Sequence, residues 1–178
     1  MNIELTTPRL LIRPATEKDV DGFFELDHNP EVHRFLGNQP AQTREECLEM
    51  IRFIQDQYRD NGTGRLSVIE RETQKFIGWA GLKLITDTVN GHRQYLDLGY
   101  RFVESSWGKG YATEAATAIL DWAFSTGNTA TIYAITHSEN KASDRILRKL
   151  GFVYTNRFEH SGVPHRWYVI TRSDWLKP

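Results

Sequence analysis

The sequence contains one cysteine, Cys47, so it cannot form an internal disulfide, which fits a reducing compartment. No apolar run approaches the roughly 18 residues of a membrane span. The start, Met1-Asn2-Ile3-Glu4, lacks the basic-then-apolar layout of a signal peptide, so a cytoplasmic location is expected. Charge of one sign is not in excess: the formal charge is -1, acids and bases are interspersed, and no basic face for nucleic acid is visible. The six histidines never fall into H-x-x-x-H or H-E-x-x-H spacing, which argues against a metal site. Low-complexity tracts and internal repeats are missing too. What remains is a chain of 178 residues with an ordinary globular composition, 39% hydrophobic and 25% charged, long enough for one domain over 1–178.

Periodicity organises that domain. A short strand over 10–13 is followed by Thr16-Glu17-Lys18-Asp19, a capping-box pattern opening a helix with Val20, Phe23 and Phe24 inward. A second box, Thr43-Arg44-Glu45-Glu46, opens a helix whose Cys47, Met50, Ile51, Ile54 and Tyr58 share one stripe, ended by Asn61-Gly62. Cys47 on that stripe reads as core, not as a reactive thiol. Between them, 28–40 reads as a short helix and loop. Strands follow at 66–70, 76–85 and 95–103, with turns near Thr73-Gln74 and Asn90-Gly91, an antiparallel meander. A helix over 112–124, stopped by Gly127-Asn128, leads to a strand over 131–136. That order implies one parallel crossover. A second helix over 141–150 buries Ala142, Ile146, Leu147 and Leu150, with Gly151 after it. A terminal hairpin joins 152–158 to 166–171 through Ser161-Gly162-Val163-Pro164. The class is mixed α+β, a mostly antiparallel sheet with one parallel junction.

The richest stretch is Trp107-Gly108-Lys109-Gly110-Tyr111-Ala112-Thr113, where the meander stops and the long helix begins. Glycines one residue apart let backbone approach a ligand. The helix aims its unsatisfied N–H groups and positive dipole end at the same spot, which suits phosphate or pyrophosphate. The string G-x-x-x-x-G-K-S/T of a P-loop is absent. A dinucleotide fold is excluded twice over. Thr113 stands where its third glycine belongs, and Asn128 and Thr129 stand where the ribose-binding acid belongs.

The six positions 107–112 resemble the signature Gln/Arg-x-x-Gly-x-Gly/Ala of the GNAT superfamily of N-acetyltransferases, departing from it at Trp107. Trp-Gly-Lys-Gly-Tyr-Ala-Thr-Glu-Ala is similar to the subgroup that acetylates ribosomal-protein N-terminal alanines (RimJ/RimL-like). So, in order along the chain, are Thr7-Pro8-Arg9-Leu10-Leu11-Ile12-Arg13-Pro14, Phe76-Ile77-Gly78, Gly81, Leu98-Gly99-Tyr100, Asn140-Lys141-Ala142-Ser143 and Lys149-Leu150-Gly151-Phe152. The resemblance implies the GNAT acyl-CoA N-acyltransferase fold, in which helices flank a twisted sheet whose parallel strand pair splays apart. It also implies acetyl-CoA as cosubstrate without a metal, and direct acetyl transfer to an amine.

Residue by residue, the resemblance places the pyrophosphate of acetyl-CoA on the amides of Gly108, Lys109, Gly110, Tyr111, Ala112 and Thr113, and the pantetheine arm as an extra strand against the backbone of Val103. Acetylation needs a neutral amine, so a base or water chain must take a proton. Asp97 matches the family's catalytic glutamate, and its other reading is a salt-bridged strand acid. His137, at the end of the parallel strand, is the second candidate and Glu104 the third. The tyrosine that many members use to protonate the leaving thiolate is replaced by Leu147, which leaves Ser143 as the subgroup's match; a first-turn polar residue is its plain alternative. Asn140 either meets the cofactor or caps the helix, and both roles can coexist. Lys141, Arg145, Arg148 and Lys149 either meet the 3′-phosphate or form a solvated face. A protein N-terminus is the first acceptor expected. A small amine such as a polyamine, amino sugar or antibiotic, or a catalytically silent CoA sensor, is the alternative. Acceptor choice is expected to lie in 28–65 and the terminal hairpin, and the chain is expected to be a monomer or a homodimer.

Overall fold

The computed structural model describes residues 3–126 and 129–177. The expected helix stop at Gly127-Asn128 lies outside them, as do Met1 and Asn2. The strands are β1 (Leu5–Thr6), β2 (Leu10–Pro14), β3 (Arg65–Glu70), β4 (Phe76–Ile85), β5 (Tyr95–Phe102), β6 (Thr131–His137), β7 (Val153–His160) and β8 (Val163–Thr171). The α-helices are α1 (Val20–His28), α2 (Pro30–His33), α3 (Arg44–Asn61), α4 (Tyr111–Ser125), α5 (Lys141–Lys149) and α6 (Arg172–Trp175). All eight strands join one sheet in the order β1-β2-β3-β4-β5-β6-β8-β7, antiparallel everywhere except at β5-β6. The two-residue β1 escaped the sequence reading because so short a strand carries no periodicity. No helix of the described residues is long and apolar enough to cross a membrane.

Both capping patterns form, each with a difference. The Thr16 N–H donates to Asp19 Oδ2 at 2.9 Å, but the box opens a 3-10 turn, Glu17–Asp19, that runs into α1. Thr43 Oγ1 accepts the Glu46 N–H at 3.3 Å, while the Glu46 carboxylate turns to the Gln42 N–H instead of that of Thr43. α3 stops at Gly62, whose φ of +66° is the left-handed conformation that glycine adopts without strain. Along α3, Cys47, Ile51, Ile54 and Tyr58 are buried as the spacing requires. Met50, on the same stripe, is 46% exposed. Burial pushes the Cys47 thiol up to about 11, so it is an inert core group. In and just after α5, Leu147 and Leu150 are buried and Ile146 is part-buried, but Ala142 is exposed, because the first turn of that helix borders a cavity instead of the core. The terminal turn is tighter than expected. Ser161 and Gly162 alone form it, with φ of +52° and +75°, and Val163 and Pro164 already belong to β8.

Asp19 anchors β2, β3 and α1 to one another. Its buried carboxylate takes both Arg13 guanidinium nitrogens at 2.8 and 2.7 Å and the Ser67 hydroxyl at 3.0 Å. Burial pushes this carboxyl up, but hydrogen bonds from Arg13, Thr16 and Ser67 outweigh it and hold it below the usual range. The folded value is thus depressed, so its stabilisation is present above the unfolded value of about 3.9 and is lost as pH falls through the folded value. Asp19→Ala leaves Arg13 part-buried without its partner and is expected to destabilise the protein by about 3–5 kcal/mol. Urea unfolding at neutral pH checks this, and an unchanged midpoint would refute it.

Candidate active site

Gly108 and Gly110 have φ of +73° and +83°, where a side chain costs about 1–2 kcal/mol. Space is not what excludes one. A Cβ at Gly108 would meet nothing within 4 Å, and one at Gly110 only Arg9 Nη2 at 3.5 Å. The left-handed backbone therefore requires glycine, and the room beside the turn is open. α4 then begins, and its first bonded amide is that of Glu114, which reaches the Gly110 carbonyl at 3.1 Å. The six amides of 108–113 find no acceptor among the described residues. Helix geometry alone strands four such donors, and the glycine turn lengthens the run.

This turn closes one end of a gap between β5 and β6. β6 pairs with β8 along its whole length, but meets β5 at a single register pair, Asp97↔Tyr133. Beyond that pair the two parallel strands part. A cavity of about 790 Å³ runs through the gap from Gly108 and Gly110 past Tyr100 and Asp97 to His160 and His165 of the terminal hairpin.

Val103 departs from the expectation. β5 ends at Phe102, the Val103 N–H donates to Ile77 at 3.0 Å, and its carbonyl accepts from Ser106 at 2.9 Å. The reason is parity. In an antiparallel ladder, residues whose N–H and C=O face one neighbour alternate with those that face the other. Val103 faces β4, so the backbone groups directed at the gap are those of Tyr100 and Phe102. The Phe102 carbonyl is already taken by the Trp107 indole N–H at 2.8 Å.

On one face of the sheet, Asp97 lies in the wall of the cavity, paired with Arg65 at 2.5 Å. Burial raises its carboxyl above the ordinary range, with the Arg65 and Lys83 charges opposing. Gly99 makes the pair possible: a Cβ there would stand 2.6 Å from Arg65 Cζ, so only glycine lets the guanidinium lie across β5. Arg65 and Arg101 stack on the Trp79 ring at 5.4 and 5.1 Å, and Arg101 is paired in turn with Asp27 of α1. His137 lines the same cavity, with its ring 5.2 Å from that of Phe35 and 5.9 Å from that of His165. Its Nδ1 accepts the Glu139 N–H at 3.1 Å, which puts the proton of the neutral ring on Nε2 and leaves no free lone pair. Glu104 is exposed, accepts from Asn29 at 2.9 Å and is not part of the cavity wall.

On the opposite face, by strand alternation, Tyr100 meets α5. Its hydroxyl lies 3.0 Å from Ser143 Oγ, both residues line the cavity, and burial pushes the phenol well above its ordinary value. The sequence pattern marks Ser143 but not Tyr100, which stands within the Leu98-Gly99-Tyr100 match. Arg65 and Arg101 carried no signal at all. Asn140 caps α5, accepting the Ser143 N–H at 3.1 Å, and also lines the cavity. Of the four basic residues of α5, Arg145 and Lys149 line the cavity, Arg148 pairs with Asp144 at 3.0 Å, and Lys141 is exposed.

Residues 9–153 match the family described as acetyltransferase (GNAT) domain. The chain belongs to this family, and it is an acyltransferase. Among relatives, the N-acetyltransferase p20 of Bacillus licheniformis is 32% identical over 148 residues, 83% of this chain and 81% of its own length. YoaA of Bacillus subtilis (strain 168) is 29% identical with the same coverage. The spermidine N(1)-acetyltransferase of Escherichia coli (strain K12) is 28% identical over 84% of this chain and 75% of its own. Among solved structures, RimL, a ribosomal L7/L12 α-N-protein acetyltransferase in complex with coenzyme A, superposes with a TM-score of 0.81 at 17% identity, covering 95% of this chain and 98% of RimL. Spermidine N-acetyltransferase from Vibrio cholerae, in complex with CoA and spermine, gives 0.76 at 20% identity, covering 96% and 100%. The two structures share the fold with this chain.

Proposed function

We propose that the chain is a single acetyltransferase domain that moves an acetyl group from acetyl-CoA directly to a primary amine, first of all the N-terminal amine of a protein. The observation that carries this reading is the run of six unpartnered amides at the glycine turn, opening onto a gap between two parallel strands. Donors at a helix N-terminus suit a diphosphate, and residues 108–113 offer such donors beside open space. The backbone of Tyr100 and Phe102 suits an extended amide-bearing arm entering the gap. Asn140, Arg145 and Lys149 stand along the same cavity.

Asp97 takes the proton of the incoming ammonium. An α-amino group has a pKa of about 8, and a carboxylate raised by burial is a better base than an exposed one. His137 is second, because its Nδ1 must first release Glu139. The Tyr100 and Ser143 hydroxyls share one hydrogen bond in the cavity wall, which leaves one O–H free to donate where negative charge on a leaving thiolate would need it.

The preference for a protein N-terminus rests on the Trp107 to Ala115 string and on the charge of the wall. The acids lining the cavity are Glu31 and Asp97; Asp97 is held by Arg65 and Arg101 by Asp27, which leaves Arg34, Arg145 and Lys149 as the basic residues outside those pairs. A polyamine would meet net positive charge there. Release of CoA thiol across a panel of N-terminal peptides, spermidine, amino sugars and aminoglycosides tests this. Turnover with peptides is expected. Turnover with spermidine alone would move the acceptor to the small amines, and tight CoA binding with no turnover on any member would make the chain a sensor.

A further inference from the structure

A run of six amides without internal partners has nothing of its own to hold its shape, least of all around two glycines, where a peptide plane turns over easily. The restraint comes from outside, from the Thr7-Pro8-Arg9 segment between β1 and β2. Arg9 Nη1 donates to the Lys109 carbonyl at 2.9 Å. That carbonyl and the Gly110 N–H belong to one planar trans peptide and therefore point in opposite directions. Holding the oxygen on the Arg9 side aims the N–H away from it.

The arginine is itself fixed. Its Nε and Nη2 both lie 2.6 Å from Glu114 Oε2, and its own backbone N–H reaches Glu114 Oε1 at 3.0 Å. Thr7 Oγ1 donates to the same Oε1 at 2.6 Å, and the guanidinium lies 4.5 Å from the centre of the Tyr111 ring. The partner's position also matters. Glu114 stands in the first turn of α4, where a bare carboxylate would occupy the positive end of the helix dipole and repel an anion arriving there. Paired with Arg9, it leaves that field to the ligand.

We infer that Arg9 is a positioning residue for the cofactor turn, locking the 109–110 peptide so that the Gly110 N–H faces the ligand and neutralising Glu114 beneath it. The inference rests on the reading that this turn takes CoA. Calorimetric titration with CoA separates the two: no binding by the wild-type chain overturns both, whereas the comparison of variants addresses Arg9 alone. Arg9→Ala is expected to weaken CoA binding about tenfold or more, the loss of a charge-assisted hydrogen bond. Arg9→Lys restores the charge but cannot span Glu114 and the Lys109 carbonyl together, so it recovers only part of the affinity. In the free protein the Gly110 amide resonance is expected to shift in both variants while the bulk of the spectrum stays in place, which separates a turned peptide from general unfolding. Wild-type affinity in Arg9→Ala, full rescue by Arg9→Lys, or an unmoved Gly110 resonance would each overturn the inference.

Discussion

Asparagine in place of Asp97 is expected to lower kcat roughly 10²- to 10⁴-fold, the range that a positioned base contributes, with CoA affinity nearly unchanged. The substitution is conservative where the fold needs it. An amide oxygen still accepts from Arg65, so the guanidinium that crosses Gly99 is not left without a partner. What disappears is the proton acceptor. In the wild type, burial raises the Asp97 carboxyl, so the rate should rise through an acid limb displaced above the ordinary aspartate range as the carboxylate forms. In the variant that limb should vanish, leaving only the rise set by deprotonation of the amine. A pH profile of kcat with a peptide acceptor reads both effects. An unchanged limb would pass the role to His137 or to a water chain.

Gly110→Val should act on the other substrate. The residue has φ of +83°, a region that a β-branched side chain reaches only with strain of about 1–3 kcal/mol. Nothing inside the protein blocks the new methyl groups except Arg9 Nη2 at 3.5 Å from the Cβ position. The strain is therefore relieved by turning the backbone, which spoils the aligned amides, or is retained with the methyl groups in the space meant for the ligand. Either way CoA affinity should fall roughly 100-fold. Thermal stability without ligand should change far less, since Trp107, Gly108, Lys109 and Gly110 are all exposed. Wild-type affinity in this variant would remove the turn from the binding site.

Some of this site was legible in the sequence because its chemistry is local. The two glycines and the helix start lie within seven residues, so an open turn suited to an anion follows from conformational preference and helix ends alone. The caps at Thr16, Thr43 and Asn140, and the Gly62 and Gly151 helix ends, belong to the same class of short-range signal. Val103 was misplaced for a related reason. Strand alternation gives the face of a side chain but not the neighbour to which its backbone points, and that depends on the register with β4. Tyr100 was passed over because its partner, Ser143, is 43 positions away. Arg65 was missed because its salt bridge to Asp97 spans 32 positions and depends on a glycine whose purpose appears only when β4 lies between β3 and β5.

By itself, then, the order of residues determined the types of the longer elements, the helix ends at Gly62 and Gly151, the phosphate-suited turn and the resemblance to the GNAT family, all properties of contiguous segments whose backbone preferences are set within a few residues. Only the tertiary structure decided that β5 and β6 meet at one pair and then part, that Asp97 lies part-buried against Arg65, and that Arg9 reaches across to the Lys109 carbonyl of the turn. Those are long-range pairings, and their partners are chosen by packing and register across the whole sheet, which no local pattern encodes.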